Sequence, residues 1–112
     1  MKKFDLKSMK KGWFVGNFDP VVYKTSECEV AVKNYKRGDE EPPHFHELAE
    51  EITIVISGKI QLNDLQLTKG EIVLVQKKEV IKFKALEDSV TVVFKSGSFK
   101  DDKYLINPYK ND

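Results

Sequence analysis

A chain of 112 residues, 40% hydrophobic and 33% charged, has the length and balance of one soluble globular domain that buries a core without disulfides. Nineteen basic against eighteen acidic residues leave a formal charge of +1, which argues against a nucleic-acid partner. No apolar run approaches bilayer length, the N-terminus lacks the apolar stretch of a signal peptide, and the lone Cys28 cannot close an intrachain disulfide, so the expectation is a cytoplasmic protein with no membrane partner.

In chain order, short strands are expected near Trp13-Phe14-Val15 and Val21-Val22-Tyr23, interrupted by Asn17-Phe18-Asp19-Pro20. Cys28 reads as a small buried apolar side chain. From Glu27 to Lys36 polarity alternates, with Cys28, Val30 and Val32 on one face and Glu27, Glu29 and Lys33 on the other. Gly38-Asp39 opens a turn toward Pro42-Pro43. The β-branched run Ile52 to Ile56, closed by Ser57-Gly58, predicts a strand buried on both faces.

Ile60 and Leu62, Leu65 and Leu67, Ile72 to Val75, Val80 to Lys84 and Val90 to Lys95 continue the series. Turns are expected at Asn63-Asp64, Thr68 to Glu71 and Gln76 to Glu79. In the run from Val80, alternation puts Ile81 and Phe83 on the apolar face and Val80, Lys82 and Lys84 on the other. From Gly97 the chain is irregular, with Tyr104, Leu105 and Tyr109 as packing anchors. Strands at this even spacing predict an all-β sandwich or barrel.

Gly38, His44, His46, Glu51 and Gly58 stand at spacings G-x5-H-x-H-x4-E-x6-G, and this block holds both histidines of the chain. Two imidazoles plus a carboxylate suit a divalent transition metal with open coordination positions. The motif and the strand rhythm around it resemble the cupin superfamily, over roughly residues 21–95. The resemblance implies a jelly-roll type double-stranded β-barrel formed by a single domain over 1–112. Its barrel core would span about 21–95, with an N-terminal arm 1–20 and a C-terminal irregular segment 96–112. It also implies a metal held inside by His44, His46 and Glu51, with Fe, Mn, Ni, Co and Zn all compatible and no organic cofactor. Glu50 is the alternative to Glu51, but only Glu51 keeps six residues before Gly58; Glu47 reads as solvated.

The family's second motif is eroded. Laid from Gly70, the chain has Gln76 for its proline, Lys78 for its glycine, Ile81 for its histidine and Ala85 for its asparagine. Ile81 thus occupies the place of the fourth ligand. His46-Glu47-Leu48-Ala49-Glu50 begins like the zinc-protease helix H-E-x-x-H, but Glu50 stands where the second histidine must be.

Lys77, Lys78, Lys82 and Lys84 form a basic cluster expected beside the barrel mouth, either attracting an anion or protecting a sheet edge. Trp13, Phe14, Phe18 and Tyr23 either line a cavity or pack a core. Cys28, between two glutamates, is a poor nucleophile. The functional expectation is a metal-binding small cupin acting on or binding a small polar metabolite, with isomerase or epimerase and dioxygenase chemistry both open and the catalytic residues unassigned. The alternative is a metal-free, non-catalytic ligand-binding or structural accessory protein, which Ile81 favours. Ile52, Ile54 and Ile56 suggest a second covered surface and hence a homodimer.

Overall fold

The computed structural model describes residues 1–106, so Tyr109 lies outside the described residues. Eleven strands are placed there: β1 (Trp13–Gly16), β2 (Tyr23–Lys24), β3 (Glu29–Tyr35), β4 (Glu40–Phe45), β5 (Glu51–Ser57), β6 (Lys59–Leu62), β7 (Leu65–Thr68), β8 (Ile72–Val75), β9 (Ile81–Ala85), β10 (Ser89–Lys95) and β11 (Tyr104–Leu105). They form a six-stranded sheet in the order β2-β1-β3-β10-β5-β8 and a five-stranded sheet in the order β11-β4-β9-β6-β7. Among the described residues only β1 and β2 pair in parallel. The architecture is the all-β, double-stranded barrel that the motif implied.

Turn chemistry sets the hairpins. Asn63 and Lys78 take positive φ at two of the expected reversals, and Gly70 does so at the third. Asn63 also ties its turn to the neighbouring strand, since its amide donates to the Val80 carbonyl and its side-chain oxygen accepts from Lys82 N–H. Gly58, the last residue of the motif, has φ +87°, and a Cβ there would fall 2.3 Å from the Asp88 carbonyl oxygen. Backbone conformation and space both demand glycine at this position.

The two sheets pack through Val55 of one and Ile60, Leu62, Leu67, Phe83 and Ala85 of the other. That apolar cluster fills one end of the barrel. Toward the other end the inward positions turn polar, and along β5 they read Val55, Thr53, Glu51. One end is therefore a packed core and the other a polar chamber.

Several expectations are corrected. β5 is buried on one face only: Thr53 and Val55 are 7% and 1% exposed, whereas Ile52 and Ile56 are 38% and 45% exposed. On β3, Lys33 and Tyr35 line the chamber, so the polar face points inward and Val30 and Val32 point outward. Cys28 is only half-buried. Val21 and Val22 precede the short strand β2 rather than forming it. Tyr104 and Leu105 remain exposed, and Tyr104 anchors its segment by stacking on Phe45, with ring centroids 5.1 Å apart.

Candidate metal centre

β4 delivers the histidines. Pro42 and Pro43 lack the N–H groups a continuous ladder needs, and the register of β4 with β9 shifts between Glu41 and His44. The Pro42 carbonyl accepts a hydrogen bond from His44 Nδ1 at 3.0 Å. A carbonyl can only accept, so the proton sits on Nδ1 and Nε2 keeps its lone pair. His46 follows at the strand end, and its ring lies edge-on to that of His44, with centroids 5.3 Å apart and planes at 87°. His46 Nε2 is buried without a hydrogen-bond partner among the described residues.

The two histidines and Glu51 line one cavity of about 270 Å³. Glu50 does not reach it; its N–H is bound by Ser96 Oγ at the flank. Leu62, Ile81, Phe83 and Val93 form an apolar floor. Ile81 pairs directly across the ladder with His44, so an aliphatic group stands at the position for which the resemblance implied a further imidazole. Among the described residues no three His, Cys, Asp or Glu side chains stand close enough to share one ion.

Other residues complete the chamber that sequence reasoning did not assign. Tyr35 donates its hydroxyl to Glu41 Oε1 at 3.1 Å, and both face the cavity. Burial first, then the Glu41 charge, holds the Tyr35 proton firmly in place. Lys11, Lys33, Lys95 and Lys103 also line it. The basic cluster read from the sequence does not: Lys82 and Lys84 face a shallow outer depression with Gln61 and Asn63. Of the four aromatics singled out, only Trp13 lines the cavity, beneath the ammonium groups of Lys95 and Lys33 at 5.0 and 5.3 Å.

Asp102 was also missed. It is 7% exposed, and its carboxylate accepts from the N–H groups of Glu47, Leu48 and Ala49. It thereby braces the loop that joins His46 to Glu51.

Electrostatics keep the imidazoles neutral. Burial, then Lys95 and His44, lowers the His46 pKa from 6.5 to about 4. Burial also lowers that of His44, although the Pro42 bond partly opposes it. Burial raises the Glu51 pKa, with Lys95, Lys103 and Lys33 pulling the other way. In metal-free protein, unfolded His46 takes up a proton near pH 6.5 and folded His46 only near pH 4. Between those limits the unfolded chain binds more protons, so stability falls as pH is lowered through that window.

At ~1.4 kcal/mol per unit, His46 alone accounts for about 3 kcal/mol, and His44 acts in the same sense. Glu51 opposes: its raised pKa makes its contribution return on acidification and vanish as pH rises. Urea midpoints measured in chelator should therefore drop from pH 7 to pH 4.5, and His46→Leu should flatten the slope. A midpoint that does not move with pH would contradict this account.

Comparison with family models and with curated proteins gives no match. Solved structures do match. KdgF from a Halomonas species is 24% identical with a TM-score of 0.61, over 69% of this chain and 76% of that one. An RmlC-like cupin from Shewanella frigidimarina is 16% identical with a TM-score of 0.61, over 69% and 72%. The Escherichia coli pirin YhhW, solved in complex with nickel(II), is 12% identical with a TM-score of 0.65, over 79% of this chain and 39% of that one. With two mostly antiparallel sheets around a chamber lined by His44, His46 and Glu51, this chain shares the fold of these small cupins.

Proposed function

We propose that this chain is a metal-binding cupin that takes a small polar metabolite into the chamber between its sheets. The observation that carries the reading is the histidine pair, with His44 Nε2 left free by the Pro42 bond and His46 Nε2 buried without a partner among the described residues. Evolution rarely leaves such a nitrogen unsatisfied without a reason, because it costs about 1–3 kcal/mol. The two rings lie side by side, with centroids 5.3 Å apart, so His44 and His46 would be the residues to hold an ion.

Glu51 lines the same cavity and would supply the carboxylate of a two-imidazole, one-carboxylate set. A bound ion would polarise a carbonyl or hydroxyl oxygen. Glu41, oriented by Tyr35, is a second carboxylate free to accept a proton. Since both histidines are committed as ligands, this pair favours proton-transfer chemistry of the isomerase or epimerase type over dioxygenase chemistry.

The test is metal content. Protein purified without a histidine tag should carry near-stoichiometric Ni, Fe, Mn, Co or Zn, and His44→Ala combined with His46→Ala should lose it. Ile81 opposite His44 favours the second reading, a metal-free binding or accessory protein. Metal-free wild-type protein that gains no stability from any of these ions would decide for that reading.

We also infer that the partner of the outer face is a second copy of this chain. Register places Leu74, Ile52, Phe94 and Val30 in one cross-strand row and Ile72, Ile54, Val92 and Val32 in the next. At strand spacings of ~4.8 Å and row spacings of ~6.8 Å these rows cover a flat projection of roughly 260 Å². The rows would form the apolar centre of the ~800 Å² that one partner contributes to a standard interface. A monomer rarely exposes so contiguous an apolar patch.

Ile72 and Leu74 are 62% and 51% exposed, so lysine at both positions leaves the core intact. Wild-type protein at about 50 μM should sediment with twice the chain mass and the Ile72→Lys, Leu74→Lys variant with the chain mass. A wild-type monomer at that concentration refutes the pairing.

A further inference from the structure

The chamber carries more positive charge than the metal reading uses. Lys11 comes from a 3-10 turn (Lys10–Gly12), Lys33 from β3, Lys95 from β10 and Lys103 from the segment before β11. Four separate parts of the chain thus bring ammonium groups to one cavity, against two carboxylates there, Glu41 and Glu51. Among the described residues only Lys95 of the four has an ion-pair partner, Glu29 Oε1 at 3.7 Å, which lies outside the cavity lining.

Lys33 is held in place by neutral contacts: its ammonium donates to the Lys11 carbonyl at 3.1 Å and lies over the Trp13 ring. Clustering like charges in a half-buried site is unfavourable unless an anion arrives to offset it. A second observation points to a ligand. Thr91 is fully buried on β10, lines the cavity, and its Oγ1 has no hydrogen-bond partner among the described residues.

The rest of the lining narrows the class. The floor of Leu62, Ile81, Phe83 and Val93 suits a short carbon skeleton. A volume of about 270 Å³ lies just below the ~300–1,000 Å³ of pockets for drug-sized ligands, so the occupant is small. The walls are mostly β-strands whose N–H groups serve the ladders, and among the described residues no arginine lines the cavity to cradle a phosphate.

Resting on the reading of this chamber as the metal site, we propose that its ligand is a small aliphatic carboxylate, held by Lys33 and Lys103 with Thr91 as a hydrogen-bonding partner. Trp13 positions two of the ammonium groups, and the apolar floor takes the carbon chain.

The experiment is titration calorimetry of the full chain with succinate, with its neutral diamide and with inorganic phosphate, each with and without nickel(II). Succinate should bind, the diamide should bind at least tenfold more weakly, and phosphate no better than the diamide. Lys103→Gln, at an exposed position, and Lys33→Gln should each weaken succinate about tenfold while leaving nickel uptake unchanged. His44→Ala with His46→Ala should lose nickel yet keep lysine-dependent succinate binding. Failure of the metal reading therefore leaves the anion result standing, and the converse also holds. Equal affinity for succinate and its diamide overturns the proposal, as does phosphate binding as tightly as succinate, or succinate binding unchanged in both lysine variants.

Discussion

Replacing His46 with leucine should raise the stability of the metal-free protein by about 1 kcal/mol while abolishing stabilisation by nickel(II). The two effects have opposite signs and a common cause. In the folded protein His46 Nε2 is shut away from solvent with no partner among the described residues, so the chain bears a desolvation cost that an apolar side chain of similar volume removes. Leu62, Ile81 and Phe83 already line that chamber, so leucine meets compatible neighbours.

The same nitrogen is what an ion would bind. At free nickel a hundredfold above its dissociation constant, binding to the folded state alone adds ~2.7 kcal/mol. For a domain of this size that corresponds to roughly 10–15 °C in Tm. The wild type should show that shift and His46→Leu should show none. An equal nickel shift in both proteins would place the ion elsewhere, and a less stable metal-free variant would show that His46 is structural.

Local spacing made the histidine pair legible. His44 and His46 sit two apart on and just beyond one strand, and that alone puts both rings on one side whatever the rest of the chain does. The turns were legible for the same reason, since Asn63, Gly70 and Lys78 solve a local backbone problem. The direction in which each strand faces was not. Alternation on β3 separates Val30 and Val32 from Lys33 correctly, but the usual rule then turns the valines inward.

Here the barrel interior at this end is polar and the outer face apolar, so the rule inverts. The rule holds on β9, where Ile81 and Phe83 face inward and Lys82 and Lys84 point away; only the placing of those lysines beside the chamber mouth needed correction. Thr91 and Lys103 reach the site from distant segments, and no spacing within the sequence links them to His44. Glu41 stands on β4 with His44, but the register shift between them hides from simple alternation that both face the cavity. The outer apolar rows follow from register across β8, β5, β10 and β3, which becomes visible only once the strand order is known.

Asp102→Ala should cost the fold about 3–5 kcal/mol, the largest single-residue loss expected outside the apolar core. The carboxylate binds three consecutive N–H groups: Oδ1 accepts from Glu47 at 3.1 Å and Leu48 at 3.0 Å, and Oδ2 from Ala49 at 3.1 Å. Hydrogen bonds to a charged acceptor are worth ~1.5–3 kcal/mol each, and Ala49 is buried, so its N–H has no easy access to water after truncation. Asparagine separates charge from geometry. Its oxygen can keep the Glu47 and Leu48 bonds, but its amide then faces the Ala49 N–H, donor against donor, and the loss should be about half that of alanine.

The loop concerned joins His46 to Glu51, and Lys103 follows Asp102 directly. Loosening this brace therefore moves two proposed ligands and one proposed anion contact together. Urea denaturation should show the loss in stability, and nickel affinity should fall with it even though Asp102 touches no ion. If Asp102→Ala unfolds at the wild-type midpoint, the loop holds itself and the C-terminal segment plays no part in shaping the chamber.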